Sequence, residues 1–381
     1  FDRVEFEKNI SLSVKKKIKI ESKWQIVDIA NVAKVKNGFA FKSDEYVNDG
    51  FKIIRIKNVK NGFIEDNEPV FISLNRENEF KDYILKNDDI LISMTGNPGR
   101  VAKIKDENLP ALLNQRVGKF EITNKNLLKE YFYHFINTEY FEKSVVGLAK
   151  GLAQLNVSSS EIESIQIPLP PLDIQQKIVS EIEVLEAKEK NAREEIEILK
   201  LKSNEVFNFN NKTVLKRFDE VCELKSGDFV KVGNISKDKK EDLCPCYGGN
   251  GLRGYVKTFT HEGKYSLVGR QGALCGNVHL VDGKFHATEH ALVAKPLNNI
   301  DTNWLHHKLV SMNLNQYATG TAQPGLSVMN LKSIELNVPS LSEQQKIVSE
   351  IEKIEAKIKV LETEIAQIPK QKEAILKKYL Q

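Results

Sequence analysis

The sequence predicts a mixed α/β protein built from two similar globular domains and two long helices, and three observations carry that prediction. Its 381 residues exceed one ordinary domain and suit two, each able to bury a core. The string Gln-Gln-Lys-Ile-Val-Ser-Glu-Ile-Glu stands at 175–183 and again, unchanged, at 344–352. After each of two proline-marked junctions, apolar residues recur in steps of three and four on a charged background.

The offset between the two strings is 169 positions. Carried backwards without a gap, it pairs Gly151 with Gly320, Ala153 with Ala322, Gln154 with Gln323, Ser158 with Ser327, Ile165 with Ile334 and Pro170 with Pro339. Self-similarity on this scale means two copies of one module and excludes short-period solenoids. The segmentation expected is an N-terminal extension at 1–23, a first domain at 24–171, a central helix at 172–207, a second domain at 214–340 and a C-terminal helix at 341–381. Pro168, Pro170 and Pro171 close the first domain, because proline turns the preceding residue away from helix and suits a first helical turn; Pro339 does the same for the second.

Within the domains, Ile53–Val59, Ile90–Met94, Lys119–Ile122, Tyr265–Val268 and Ala291–Ala294 read as strands, and Leu127–Glu139 and Asn303–Met312 as helices. The central helix carries its seam at Ile174, Ile178, Ile182, Leu185, Ala192, Ile196 and Leu199. Ile347, Ile351, Ile354, Ile358, Leu361, Ile365 and Ile368 give the C-terminal helix a heptad seam, which Pro369 is expected to kink or end before a last helical piece near Leu380. One such helix could pack on an ordinary core. Two, each polar over most of its circumference and too long to cover a small domain, are best satisfied by packing seam to seam as a coiled coil.

Apolar residues at 41% and charged residues at 28% describe a globular chain, and no apolar run approaches the roughly 20 residues of a membrane span. Four cysteines without a paired framework, and a start lacking a signal-peptide core, lead us to expect a reducing cytoplasm. The first residue is Phe, which leaves open a cut from a longer polypeptide. The net charge of +4 is modest, but 173–207 holds 6 basic and 9 acidic residues, so the rest of the chain carries +7.

Catalytic signatures fail on context. Gly249-Asn-Gly251-Leu-Arg-Gly254 matches a dinucleotide fingerprint but opens onto a strand-like run, where a phosphate site needs a helix N-terminus; Gly96-Asn-Pro-Gly99-Arg100 lacks the Gly-Lys-Ser/Thr ending of a P-loop. An Asn/Asp-Pro-Pro-aromatic methyltransferase motif is missing, since Asn97-Pro98 is followed by Gly. Glu186-Ala-Lys188 and Glu355-Ala-Lys357 resemble nuclease triplets but lie on the helices as solvated charge. Cys244, Cys246, Cys275, His279, His286 and His290 share the second domain, yet Cys244-Pro-Cys246 is too tight for zinc and the others fall on strand or loop positions, so no metal site is expected.

The remaining polar clusters suit DNA. Arginine reads guanine bidentately and asparagine or glutamine reads adenine. In the second domain Tyr247, Asn250, Arg253 and Tyr255 stand in one Gly-rich stretch, with Arg270 and Gln271 in another and His290 and Gln323 beyond. The first domain offers Thr95, Asn97 and Arg100 after a strand, then Asn114, Gln115 and Arg116, with Gln154 at the place Gln323 holds in the repeat. Lys36-Asn37 and Lys225-Ser226 sit near the start of each domain, where lysine suits phosphate contacts. Any one of these could equally be a solvated turn.

The chain resembles the specificity subunits of type I restriction-modification enzymes. The resemblance covers nearly all of it and rests on Pro-Leu-Pro-Pro-Leu-x-x-Gln-Gln-x-Ile at 168–178, Val-Pro-Ser-Leu-Ser-Glu-Gln-Gln-Lys-Ile at 338–347, Tyr-Gly-Gly-Asn-Gly-x-x-Gly-Tyr at 247–255, Val-Gly-Arg-Gln-Gly at 268–272 and Gly320-Thr-Ala-Gln-Pro-Gly-Leu326. It implies two target recognition domains on a pseudo-two-fold frame, each reading half of a split DNA site, held apart by two antiparallel helices. It further implies docked methyltransferase subunits, a translocating nuclease subunit in the full enzyme, and no catalytic site or cofactor on this chain, S-adenosylmethionine belonging to the methyltransferase. Some relatives fuse methyltransferase and specificity parts, so the chain could be a portion of such a fusion. Two competing readings are a self-contained methyltransferase or nuclease with diverged motifs, and a coiled-coil tether without sequence readout.

Overall fold

The computed structural model describes residues 20–151, 154–208, 213–272, 274–320 and 324–381. The chain divides into two compact units, one running up to Lys190 and taking in Ala366–Gln381, the other spanning Asn191–Ile365. Each unit thus holds one globular domain with a stretch of both long helices, a division that cuts across the expected segmentation.

In the first unit the strands are β1 (Ile26–Asp28), β2 (Ala33–Asn37), β3 (Phe51–Ile54), β4 (Phe71–Ile72), β5 (Ile90–Ser93), β6 (Thr95–Gly96), β7 (Val101–Lys103), β8 (Ala111–Leu113), β9 (Val117–Ile122), β10 (Leu155–Asn156) and β11 (Gln166–Pro168). An antiparallel sheet in the order β2-β9-β5-β7 faces a core containing Ile90, Ile92, Phe120, Phe132 and Phe141. Beside it β3 pairs with β4 and, in parallel, with β8, while β1 pairs with β11. Three helices follow the sheet: α1 (Lys129–Ile136), α2 (Glu139–Leu148) and α3 (Ser159–Glu163).

The second unit repeats this plan with β12 (Val214–Arg217), β13 (Cys222–Ser226), β14 (Cys244–Gly248), β15 (Gly251–Val256), β16 (His261–Glu262), β17 (Tyr265–Gly269), β18 (Val278–Val281), β19 (Lys284–Ala287), β20 (Ala291–Pro296) and β21 (Glu335–Val338). Its sheet runs β13-β20-β17-β18, the counterpart of β2-β9-β5-β7. The parallel β14-β19 pair stands where β3-β8 stands, and β12-β21 where β1-β11 does. The duplication that the sequence shows only from 151 onwards therefore covers the whole domain.

Three local expectations are corrected. The strand expected at 53–59 ends at Ile54, because Asn58 folds the chain back: its amide N–H donates to the Arg55 carbonyl and its Oδ1 accepts from the Arg55 N–H. The helix expected at 127–139 stops at Ile136, and Thr138 starts a new one, its hydroxyl accepting from the Phe141 N–H as an N-cap. The helix after Pro339 neither ends nor restarts at Pro369. Proline removes one N–H donor there, but buried Ile368, Leu376 and Leu380 hold the flanking turns in place.

The long helices are α4 (Leu172–Glu205) and, after α5 (Thr302–Ser311) and α6 (Val328–Lys332), α7 (Leu341–Leu380). In the first unit Ile178 and Ile182 share a core with Leu376 and Leu380. Lys378 reaches Glu181 and Lys372 reaches Glu186, both at 2.8 Å, so ascending positions on α4 meet descending ones on α7 and the pairing is antiparallel. In the second unit Ile347, Val348 and Ile351 join the core of the domain, and Lys357 pairs with Glu195.

The repeated glutamines explain how each helix is fixed to its domain. Gln175 is fully buried; its Oε1 accepts from the Leu128 N–H at 2.8 Å, and its Nε2 donates to the carbonyls of Asn126 and Pro170 at 2.8 and 2.7 Å. Gln344 does the same with the Asp301 N–H and the carbonyls of Asn299 and Pro339. One side chain thus saturates three backbone groups where helix, junction and domain meet. Gln175→Ala or Gln344→Ala, by stranding buried donors and acceptors, should lower the stability of the affected unit by about 2–4 kcal/mol, measured by chemical denaturation.

Burial also neutralises two histidines. His134 on α1 is pushed down to about 4 by desolvation, only partly opposed by Glu186 at 3.8 Å, and His306 on α5 falls to about 4 beside His307, His279 and Lys264. The unfolded chain takes up these protons near the ordinary histidine value of about 6.5 while the folded chain refuses them. Their contribution to stability is therefore complete above about pH 6.5 and declines as the pH falls towards 4. A urea-midpoint series over that range should show the decline, and His306→Asn should reduce it while leaving the part due to His134.

Candidate nucleic-acid interface

At one end of the main sheet of each domain, loops from several strands converge, and the same backbone hydrogen bonds hold them in both domains. The Met94 N–H donates to the Arg116 carbonyl as the Arg270 N–H does to His290, at 3.1 and 2.9 Å. The carbonyl of Met94 accepts from Val157 and that of Arg270 from Leu326, at 3.0 and 2.8 Å. Asn114 donates to Ile54 and accepts from Val117; Thr288 donates to Tyr247 and accepts from Ala291. These bonds equate Met94 with Arg270, Thr95 with Gln271, Asn114 with Thr288, Gln115 with Glu289 and Arg116 with His290.

The glycine after each lysine-led pair makes the convergence possible. A Cβ on Gly38 would lie 2.2 Å from the Leu113 carbonyl oxygen, and one on Gly227 would lie 2.1 Å from that of Ala287. Only a residue without a side chain lets β2 or β13 approach this backbone so closely. Lys36-Asn37 and Lys225-Ser226 are thereby set against the same turn in their respective domains.

In the first domain Thr95, Asn97 and Arg100 lie on the β5–β7 connection, and Asn114, Gln115 and Arg116 on the β8–β9 turn. Gln154 belongs with them, since its amide comes within 3.7 Å of a Cβ placed on Gly96. Asn37, Asn97, Gln115, Arg116 and Gln154 are exposed; Lys36, Thr95 and Arg100 are half-buried. Asn114 differs from these: it is 7% exposed, and its Oδ1 accepts from the Arg116 N–H, so it shapes the turn that presents its neighbours. Asn156 enters the cluster unforeseen, accepting from the Thr95 hydroxyl at 2.7 Å.

In the second domain Asn250 sits at the exposed tip of the two-residue turn joining β14 and β15, and Arg253 extends from β15 with its stem over Gly248. The Arg270 guanidinium donates to the Ser226 hydroxyl at 3.0 Å, Gln271 Oε1 meets His290 Nδ1 at 3.1 Å, and Asn277 donates to Asn250 at 3.4 Å. Tyr247 is half-buried, packed edge-on against Phe285 at 6.0 Å, and burial pushes its hydroxyl above the ordinary tyrosine range. Tyr255 lies opposite Pro245, at the far end of the hairpin from the turn. Gln323 lies outside the described residues.

Sequence reasoning missed Asn277 and Glu289 as members of this surface. For Glu289 the neighbouring His290 was the available signal. Cys222, Cys246 and Cys275 are buried and Cys244 is partly exposed; Cys246 lies opposite His286 in the β14–β19 pair, and burial pushes the Cys222 thiol up to about 12. Among the described residues no helix is long and apolar enough to cross a membrane.

Two sheet-borne loop clusters, each presenting Arg, Gln, Asn and Lys, define a duplicated polar recognition surface on a helical frame. The type I restriction modification DNA specificity domain matches this chain twice, over residues 21–200 and 194–370, and the chain belongs to that family. It is 48% identical over 130 residues to the EcoprrI type I restriction enzyme specificity subunit of Escherichia coli, covering 34% of this chain and 32% of that protein. It is 29% identical over 191 residues to the MjaVIII specificity subunit of Methanocaldococcus jannaschii, covering 48% and 45%. The chain thus spans between a third and a half of the length of these relatives. The fold is similar to the crystal structure of a type I restriction-modification S subunit from M. genitalium, with a TM-score of 0.52 and 16% identity over 96% of this chain and 98% of that one. A chain from a structural study of complex assembly and conformational transition in the type I R-M system gives a TM-score of 0.61 at 15% identity, covering 95% and 98%.

Arg253 is exposed and makes no ion pair among the described residues, so its removal should spare the fold. Arg253→Ala is expected to weaken specific DNA binding about tenfold or more, read by fluorescence anisotropy, with an unchanged thermal unfolding midpoint.

Proposed function

We propose that this chain is the DNA-reading subunit of a type I restriction-modification enzyme, each domain reading one half of a bipartite site. The observation that carries the proposal is the pair of equivalent loop clusters, alike in backbone and different in side chains. Equal backbones place the reading positions alike, and unequal side chains select different bases. Arg, Gln and Asn at loop tips suit base edges, while Lys36 and Lys225 suit phosphates that set register without specifying sequence.

The helices set the distance between half-sites in this reading. A helix of 34 residues at about 1.5 Å each is roughly 50 Å long, more than the 34–36 Å of one DNA turn. The same helices would dock methyltransferase subunits; Ile198, Leu201 and Val360 on the helical stretches of the second unit are exposed apolar residues suited to that contact. Catalysis and S-adenosylmethionine would belong to those partners, which must flip the target base to reach it, with a translocating nuclease subunit completing the enzyme in the cytoplasm.

Mapping adenine methylation in cells carrying the partner methyltransferase, with and without this chain, tests the proposal. A bipartite motif with a fixed gap should appear only with the chain. If no motif depends on it, the reading fails and a tethering role takes its place. Binding to a duplex carrying the motif should weaken steeply between 50 and 200 mM salt.

A further inference from the structure

Glu289 is an acidic residue in the middle of a surface otherwise furnished with Arg, Gln, Asn and His. A carboxylate facing DNA is repelled by phosphates, so its presence there calls for a specific partner. It follows Thr288, whose backbone is bonded to Tyr247 and Ala291, and precedes His290, whose carbonyl holds Arg270; its place in the cluster is therefore fixed on both sides. Its side chain is 31% exposed. Oε1 meets His290 Nε2 at 3.2 Å, while Oε2 is turned inward, buried and without a hydrogen-bond partner among the described residues, so Oε1 is the oxygen placed to meet a base. In the first domain the same backbone position carries Gln115, which is exposed.

The chemistry of these two side chains differs in one respect that base edges detect. An ionised carboxylate only accepts hydrogen bonds, whereas a carboxamide both donates and accepts. In the major groove, cytosine presents the N4 amino donor; guanine presents only acceptors, thymine an acceptor and a methyl group, and adenine an acceptor beside its amino group. Adenine thus matches a carboxamide bidentately, and cytosine suits a carboxylate. Resting on the reading proposed above, we infer that the position shared by Gln115 and Glu289 determines specificity, Glu289 selecting a cytosine in one half-site and Gln115 an adenine in the other. His290 holds the carboxylate until the cytosine amino group replaces it.

The test is the methylation motif conferred by the assembled enzyme with Glu289→Gln and, separately, Gln115→Glu. Glu289→Gln should change the preferred base at one position of one half-site, with discrimination against the original base pair shifting roughly tenfold or more, and leave the other half-site as it was. Gln115→Glu should change one position of the opposite half-site. If folded variants keep the wild-type motif, or lose methylation at every site without changing preference, the inference is overturned. Should Glu289→Gln fail to fold, Gln115→Glu decides alone by the same outcomes. A wild-type chain that confers no motif overturns the reader role itself, and this inference with it.

Discussion

The structure depends on a buried carboxamide. Gln175 and Gln344 each sit at the entrance to a long helix, where a proline has ended the strand and the backbone must change direction without water to satisfy it. A carboxamide suits this point because it offers an acceptor and two donors on one rigid group, which an alcohol, an amine or a carboxylate does not. Each glutamine ties the helix entrance to the loop before the nearby domain helix, α1 or α5, so helix and domain cannot turn independently at the junction. Any reading of DNA by the domains relies on that rigidity.

The helices belong to both units rather than forming a separate module. The core of the first unit includes Leu376 and Leu380, and the indole N–H of Trp24 donates to the Tyr379 carbonyl across 355 positions of sequence. The Ser22 hydroxyl and the Lys23 N–H both reach the Leu380 carbonyl, satisfying a group that a helix end leaves open. Hydrophobic seams supply the drive for this pairing, and the Glu181–Lys378 and Glu186–Lys372 contacts set its register.

The candidate interface is carried on strand ends. A loop held at both ends by a sheet and crossed by backbone hydrogen bonds from its neighbours has little freedom, so its side chains can differ without moving the backbone beneath them. The two domains show this directly: Met94 and Arg270 differ in polarity and charge, Gln115 and Glu289 in charge and hydrogen-bond donors, and each pair occupies the same backbone position.

Much of this was legible in the amino-acid sequence. The repeated nonapeptide disclosed the duplication, the prolines marked the junctions, and the spacing of isoleucines disclosed the long helices, because identity, proline geometry and periodicity are local properties that survive without knowledge of the fold. Tertiary structure alone decided the rest. Pro369 stays within α7 because packing on either side outweighs one lost hydrogen bond, and the helix expected at 127–139 is divided because Thr138 caps a new one. The equivalence of Gln115 with Glu289 was hidden because these turns are 174 positions apart while the helices are 169 apart, so the gap-free alignment that reveals the helices misaligns the loops. Loop lengths differ between the two domains. Hydrogen bonds between strands, which are insensitive to those lengths, restore the correspondence.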